Sequence, residues 1–256
     1  MRKYQISLLT IMPWLIILLA SCDNEITRAP RIREADIDGI LNHSTEIVDP
    51  GGDWISTGHD GDNPGIYPVD YADINNLKVG LDDQYLYIKL TMNGTFPEEV
   101  SGFPTFEGDP LNSFGFNMGL DNDNNNRTGC ISDGGTNSII GWGFHSENGR
   151  VSIYSQYFTD PTGIETPEQA RYQNNVFGVE IQFGGPGHDY FTMAIPLSPL
   201  LISKGQEITI NSWAESASNL YMHASFDVLC PESLSFSSAS LACPIKIRLG
   251  EEIIIK

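Results

Sequence analysis

Among the 256 residues of this chain, the run Asp121-Asn122-Asp123-Asn124-Asn125-Asn126-Arg127-Thr128-Gly129 concentrates hard oxygen donors. Asp121, Asp123 and Asn125 alternate, so their side-chain oxygens can converge on one cation; Ca²⁺ takes about six to eight such ligands at ~2.3–2.6 Å. Asp133 follows closely enough to add another. The loop departs from the EF-hand, because Asn126 stands where that loop needs glycine and Ser132 where it needs a bidentate Glu. A structural Ca²⁺ is the expectation, and a solvated turn with Asn and Asp at left-handed positions is the alternative. A second acidic group, Asp53, Asp60, Asp62, Asp70 and Asp73, reads as solvated loop, and so does the lone His59.

Flat aromatic faces supply a different chemistry. The C–H faces of a pyranose stack on Trp or Tyr rings, while its hydroxyls seek directional polar partners. Trp142 stands between Gly141 and Gly143, an arrangement that predicts an accessible ring, and Trp213 precedes Ala214-Glu215-Ser216. These two, rather than Trp54, are the expected ligand-binding residues.

Cysteine usage fits export. The cysteines are Cys22, Cys130, Cys230 and Cys243, with no C-x-x-C pair, so neither a zinc ribbon nor a thioredoxin-type couple is encoded. Cys230 and Cys243 each precede a proline and bracket a serine-rich segment, which makes them the preferred disulfide; Cys130 with either of them stays open. Catalytic signatures are lacking: no G-x-S-x-G, H-E-x-x-H, phosphate loop or dinucleotide fingerprint occurs, and the expectation is a non-enzyme.

Charge narrows the partners. Thirty-three acidic against 14 basic side chains give a net charge of −19, which repels phosphate backbones and anionic lipid, so nucleic acid is excluded as a partner. Any membrane contact must run through an anchor, and the N-terminus supplies one. Arg2 and Lys3 precede the apolar run Leu8–Ala20, too short for a spanning helix of about 20 residues. It ends in Leu19-Ala20-Ser21-Cys22, which resembles the lipobox of bacterial lipoproteins and implies cleavage before a lipidated Cys22. Residues 1–21 are then a signal peptide and 22–34 a tether, with the membrane face, periplasmic or cell-surface, left open.

Behind the tether the hydrophobic period is two. Leu77, Val79 and Leu81, the turn Asp82-Asp83, and then Leu86, Ile88 and Leu90 predict a hairpin. Further strands are expected over 114–120, 139–144, 151–158, 176–183, 190–195, 208–213, 220–228 and 245–249, separated by Gly, Pro, Asn and Asp clusters. Helix is scarce: Thr166-Pro167-Glu168-Gln169 and Ser198-Pro199 each open a turn or two. The fold expected is all-β, a two-sheet antiparallel, jelly-roll-like sandwich with very little helix, forming a single domain over 35–256.

Ile37-Asp38-Gly39, Asp53-Trp54 and the stretch Asp73 to Ile88 with its Val79-Gly80-Leu81-Asp82-Asp83-Gln84-Tyr85-Leu86-Tyr87 core resemble the opening of a family 9 carbohydrate-binding module, a DOMON-like β-sandwich. Phe191-Thr192-Met193-Ala194-Ile195-Pro196-Leu197-Ser198 is similar to the strand of that family that runs into Ile-Pro-Leu, although Thr192-Met193 replaces its usual acidic residue. The resemblance implies a non-catalytic module that binds carbohydrate, and with the Cys22 anchor and the acidic loop the expectation is a lipid-anchored, calcium-stabilised one. The competing readings are an envelope protein-interaction or structural lipoprotein without a sugar site and, behind it, a glycan-processing enzyme whose paired carboxylates only the fold would reveal.

Overall fold

Local chemistry fixes the first hairpin. The Asp82 Oδ1 atom accepts the backbone N–H groups of Gln84 (2.7 Å) and Tyr85 (2.8 Å), and the Tyr87 hydroxyl donates to Oδ2 (2.7 Å). These bonds hold the carboxyl of Asp82 below its ordinary pKa against the opposing effect of its burial. The computed structural model describes residues 32–51, 55–57, 69–99, 102–103, 105–106, 109–111, 113–125, 136–147, 150–159, 171–174, 180–217, 224–231 and 243–256.

Helix α1 (Glu34–Leu41) leads into strands β1 (Thr45–Val48), β2 (Ile55–Thr57), β3 (Ile74–Leu81) and β4 (Tyr85–Met92). The short β5 (Thr105–Phe106) and β6 (Asp109–Pro110) precede β7 (Ser113–Asp121), β8 (Ser138–Glu147), β9 (Arg150–Thr159) and β10 (Arg171–Asn174). There follow β11 (Glu180–Gly184), β12 (Tyr190–Pro196), α2 (Leu197–Leu200), β13 (Glu207–Ala217), β14 (Ala224–Val228), β15 (Ile245–Arg248) and β16 (Ile253–Ile255).

Two sheets carry the fold. One has six strands in the order β11-β12-β4-β3-β1-β16; the other has eight, β10-β9-β8-β7-β13-β14-β2, with β15 also paired to β13. All these pairings are antiparallel except β1 with β16. The sequence therefore predicts the architecture correctly: an all-β sandwich whose inner faces supply one core.

Cross-strand register aligns the apolar residues in rows. In the six-stranded sheet Ile47, Leu77, Leu90 and Phe191 lie side by side, and Val79, Ile88 and Met193 form the next row. The facing sheet contributes Ala214, Phe116 and Trp142 in one row and Met118 and Ile140 in another. All belong to one buried cluster, which a one-residue slip of any strand would turn outward. Glu34–Lys256 gather as one compact unit.

Two buried carboxylates tie the sheets together. Asp227, on β14, accepts the N–H of Ile74 on β3 at 2.6 Å, and Asp49, just after β1, accepts the N–H of Cys230 at 2.9 Å. Cys230 and Cys243 are joined by a disulfide with a Cα–Cα distance of 5.6 Å, linking the chain after β14 to the chain before β15.

Helix α1 lies where the sequence suggests tether and domain start, and it belongs to the folded unit. Its Ile37 and Leu41 are buried against the outer side of the six-stranded sheet, where Gly80 leaves room: a Cβ there would come within 3.2 Å of Ile40 and 3.3 Å of Leu41. Lys89 pairs with Asp38 at 3.0 Å and lies 4.6 Å from the centre of the Tyr190 ring, whose hydroxyl donates to Glu34 at 2.6 Å. The helix thus occupies part of this outer face, whereas Trp213 belongs to the outer face of the other sheet. No helix among the described residues is long and apolar enough to cross a membrane.

Candidate functional site

The acidic loop begins as β7 ends, and its odd and even residues divide the work. The even ones anchor it: the Asn122 side chain donates to the carbonyl of Leu200 (3.1 Å), and that of Asn124 donates to the carbonyl of Glu207 (2.8 Å) while accepting from the Thr209 hydroxyl (2.7 Å). The odd ones turn inward on the loop. Asp121 Oδ1 accepts from the N–H of Asp123 (3.2 Å) and, weakly, of Asn125 (3.3 Å), and Asp123 Oδ1 accepts from Asn125 N–H at 3.0 Å. Asn124 takes the left-handed conformation, φ 52°, that such a tight loop requires and that asparagine tolerates.

Asp121 is only 5% exposed, and its carboxyl lies above the ordinary pKa. Desolvation is the first cause, and a hydrogen bond shared with the Asp123 carboxyl is the next. Two carboxyl groups this close repel when both are ionised, which is the electrostatic condition a bound cation relieves. The structure brings Asp121, Asp123 and Asn125 together; Asp133 lies outside the described residues. No group of three or more His, Cys, Asp or Glu among the described residues is placed to hold a metal ion, so a cation here would rest on two carboxylates and an amide.

The tryptophans separate. Trp142 is 1% exposed and stacks on Phe191 of the opposite sheet, ring centres 3.9 Å apart and planes at 15°, with Phe96 tilted against it at 5.4 Å and Phe114 edge-on at 5.5 Å. The expectation of an accessible ring is corrected. Successive side chains in a strand point to opposite faces, so Gly141 and Gly143 thin the outer face of β8 while Trp142 and Ile140 point inward. Trp142 is a core residue.

Trp213 points the other way. It is half-buried on the outer face of β13, packed against Val228, Cys230 and Cys243, and it pairs in register with Asn117 of β7. Two residues further along the same face comes Glu215, about 7 Å on by the rise of a strand. Glu215 pairs with Gly115, and its carboxyl lies down over that glycine: a Cβ at position 115 would sit 2.7 Å from Glu215 Oε1. Burial alone pushes the Glu215 carboxyl above its ordinary pKa. Neither the Glu215 nor the Asn117 side chain has a hydrogen-bond or ion-pair partner among the described residues.

The sequence reading passed over Glu215 except as the neighbour of Trp213. The available signal was the spacing Trp213-x-Glu215 on a strand that faces a glycine-rich one, Phe114-Gly115-Phe116-Asn117-Met118-Gly119. Of the remaining candidates, Cys22, Trp54, Asp53, Asp60, Asp62, His59 and Cys130 lie outside the described residues. Within the second acidic group, Asp73 closes the short 3-10 turn Asp70–Ala72, and its carbonyl accepts from the N–H of Asn93 at 2.8 Å.

No family model matches the chain. No curated protein matches it either. Among solved structures, it is similar to a family 9 carbohydrate-binding module from Caldicellulosiruptor kristjanssonii in complex with cellotriose, with a TM-score of 0.40 and 12% sequence identity, covering 86% of this chain and 91% of that one.

Proposed function

We propose that this protein is a lipid-anchored, non-catalytic carbohydrate-binding β-sandwich of the bacterial envelope, with Trp213 as its stacking platform. The observation that carries the reading is the outer face of β13: a half-buried indole beside the amide of Asn117 and the carboxyl of Glu215. An apolar ring face with hydrogen-bonding groups at its edge is what a pyranose requires. A screen of the full chain in detergent on an oligosaccharide array tests it. Trp213→Ala should weaken binding of the best hit by about 1–3 kcal/mol, roughly 5- to 150-fold. The same ring packs on the disulfide, so affinity is to be read well below the melting transition. An affinity unchanged by Trp213→Ala would remove the platform from the reading.

A second reading, an envelope protein-interaction lipoprotein, draws on edge strand β16, whose Ile253 and Ile254 are 45% and 60% exposed. An array without hits favours it, because exposed apolar residues on a sheet edge suit a protein partner.

The anchor in this proposal is Cys22, supported by its place behind Leu19-Ala20-Ser21. Cys22→Ser should leave the signal segment uncleaved by lipoprotein signal peptidase and abolish labelling by a fatty-acid probe. Labelling at the wild-type level would refute the assignment.

The proposal includes one structural Ca²⁺ held by Asp121, Asp123 and Asn125, with Asp133 as a further ligand. Its support is the close carboxyl pair of Asp121 and Asp123, whose repulsion a cation would relieve. A cation that binds only the folded chain at a hundredfold excess over Kd stabilises it by about 2.7 kcal/mol. Asp121→Asn with Asp123→Asn should abolish the calcium-dependent rise in Tm. The sign of the pH dependence follows from the raised pKa of Asp121. Without cation, its contribution to stability is greatest when it is protonated and fades as pH rises through its folded-state pKa. Calcium needs the ionised form, so its stabilisation should be largest at neutral pH and vanish on acidification. Wild type and double variant melting together at every calcium concentration would sink the site.

A further inference from the structure

We infer that Glu215 is the specificity-determining residue of the outer face of β13, accepting hydroxyl hydrogen bonds from an uncharged saccharide on Trp213 and turning away glycans that carry carboxylates. The inference rests on the carbohydrate reading above and deepens it.

The geometry is that of a group held for something absent from the protein itself. Two buried carboxylates among the described residues work for the scaffold: Asp227 and Asp49 each accept a backbone N–H group across the sandwich. Glu215 accepts none, although it is partly removed from water and has no cation nearby among the described residues. A carboxylate shielded from solvent without donors destabilises the native state, and burial accordingly moves the Glu215 carboxyl above its ordinary pKa. Such an arrangement is characteristic of sites in which the ligand supplies the missing donors.

Gly115 makes the arrangement specific. Any side chain there would occupy the space into which Glu215 Oε1 descends, so the glycine lets the carboxyl lie flat on the sheet rather than extend into solvent. That posture sets an acceptor-only group close to the sheet and beside the Trp213 ring, where it can meet the hydroxyls at the edge of a stacked sugar. Asn117, opposite Trp213 in β7, adds an amide that both donates and accepts.

Charge then selects among sugars. Hydroxyl donors to an ionised carboxylate form charge-assisted bonds, roughly twice as strong as neutral ones. A uronate ring offers a second carboxylate to the same poorly solvated spot and approaches a chain of net charge −19, so both local and long-range terms oppose it.

The test uses the full chain in detergent, wild type, Glu215→Gln and Trp213→Ala, titrated with neutral gluco-, xylo- and manno-oligosaccharides and with oligogalacturonides. Glu215→Gln is close to isosteric and removes a desolvated charge, so its Tm at pH 7 should not fall below wild type. The expected result is that wild type binds a neutral oligosaccharide and Glu215→Gln loses roughly tenfold or more of that affinity, while its preference for neutral over uronic chains narrows by a similar factor. Neutral binding lost in Trp213→Ala but kept within about twofold in Glu215→Gln, with the preference unchanged, overturns the role of Glu215 and leaves the carbohydrate reading standing. Wild type that binds none of the probes overturns the carbohydrate reading and this inference with it.

Discussion

Trp142→Ala is expected to cost about 3–5 kcal/mol of folding stability, the largest effect of any single substitution considered for this protein. The ring is 1% exposed and stacked on Phe191 at 3.9 Å, so truncation removes its transfer free energy and leaves a cavity between the sheets. Phe96, Phe114 and Phe191 surround it, and these rings cannot collapse into the gap without breaking their contacts with one another, Phe96 with Phe114 at 4.9 Å and with Phe191 at 6.3 Å. In a domain of this size each kcal/mol lowers Tm by roughly 2–4 °C, so thermal unfolding should show a fall of more than about 6 °C. Trp142→Phe should recover part of it by refilling volume with an aromatic ring. Ligand affinity of the folded fraction should stay near wild type. A variant that melts like wild type but loses glycan binding would return Trp142 to the ligand site.

Replacing Cys230 and Cys243 together by serine is expected to cost about 3 kcal/mol. The chain-entropy estimate follows from a bridge spanning 13 residues in sequence. The loss should be local in its consequences, because the bridge backs Trp213 and sits beside two buried anchor points: Cys230 N–H donates to Asp49 and Cys243 N–H to Asn211, both at 2.9 Å. Reduction of the wild type should reproduce the drop in Tm and increase the exposure of Trp213 to a collisional quencher. Equal melting of reduced and oxidised protein would show that those anchors hold the segment without the bridge.

The hairpin of β3 and β4 was legible because its determinants are local. Alternating apolar residues set the buried face, and Asp82 binds the turn through residues two and three positions on. The acidic loop was legible in the same way, as its alternation separates Asn122 and Asn124, which hold it in place, from Asp121, Asp123 and Asn125, which turn inward on the loop. Helix α1 was not. Its Ile-Asp-Gly core has little helical signal, and it forms where Ile40 and Leu41 find the space above Gly80, a partner 39 residues beyond Leu41. The tie of Asp227 to Ile74 likewise spans a sequence separation of 153, and nothing near either residue announces it.

By itself, the sequence determined the class of the protein: period-two hydrophobicity demands sheets, and the proline-flanked cysteines are the ones the fold joins. Which face each tryptophan serves was decided only in three dimensions. Flanking glycines and flanking polar residues describe a tryptophan's neighbours along the chain, but in a strand those neighbours lie on the opposite side. Trp142 therefore went to the core with Ile140, and Trp213 to the outer face with Glu215. The Glu215 carboxyl can lie flat beside it only because register sets a glycine of β7 opposite. Pairing across strands, unlike periodicity within one, is a property of the assembled sheet.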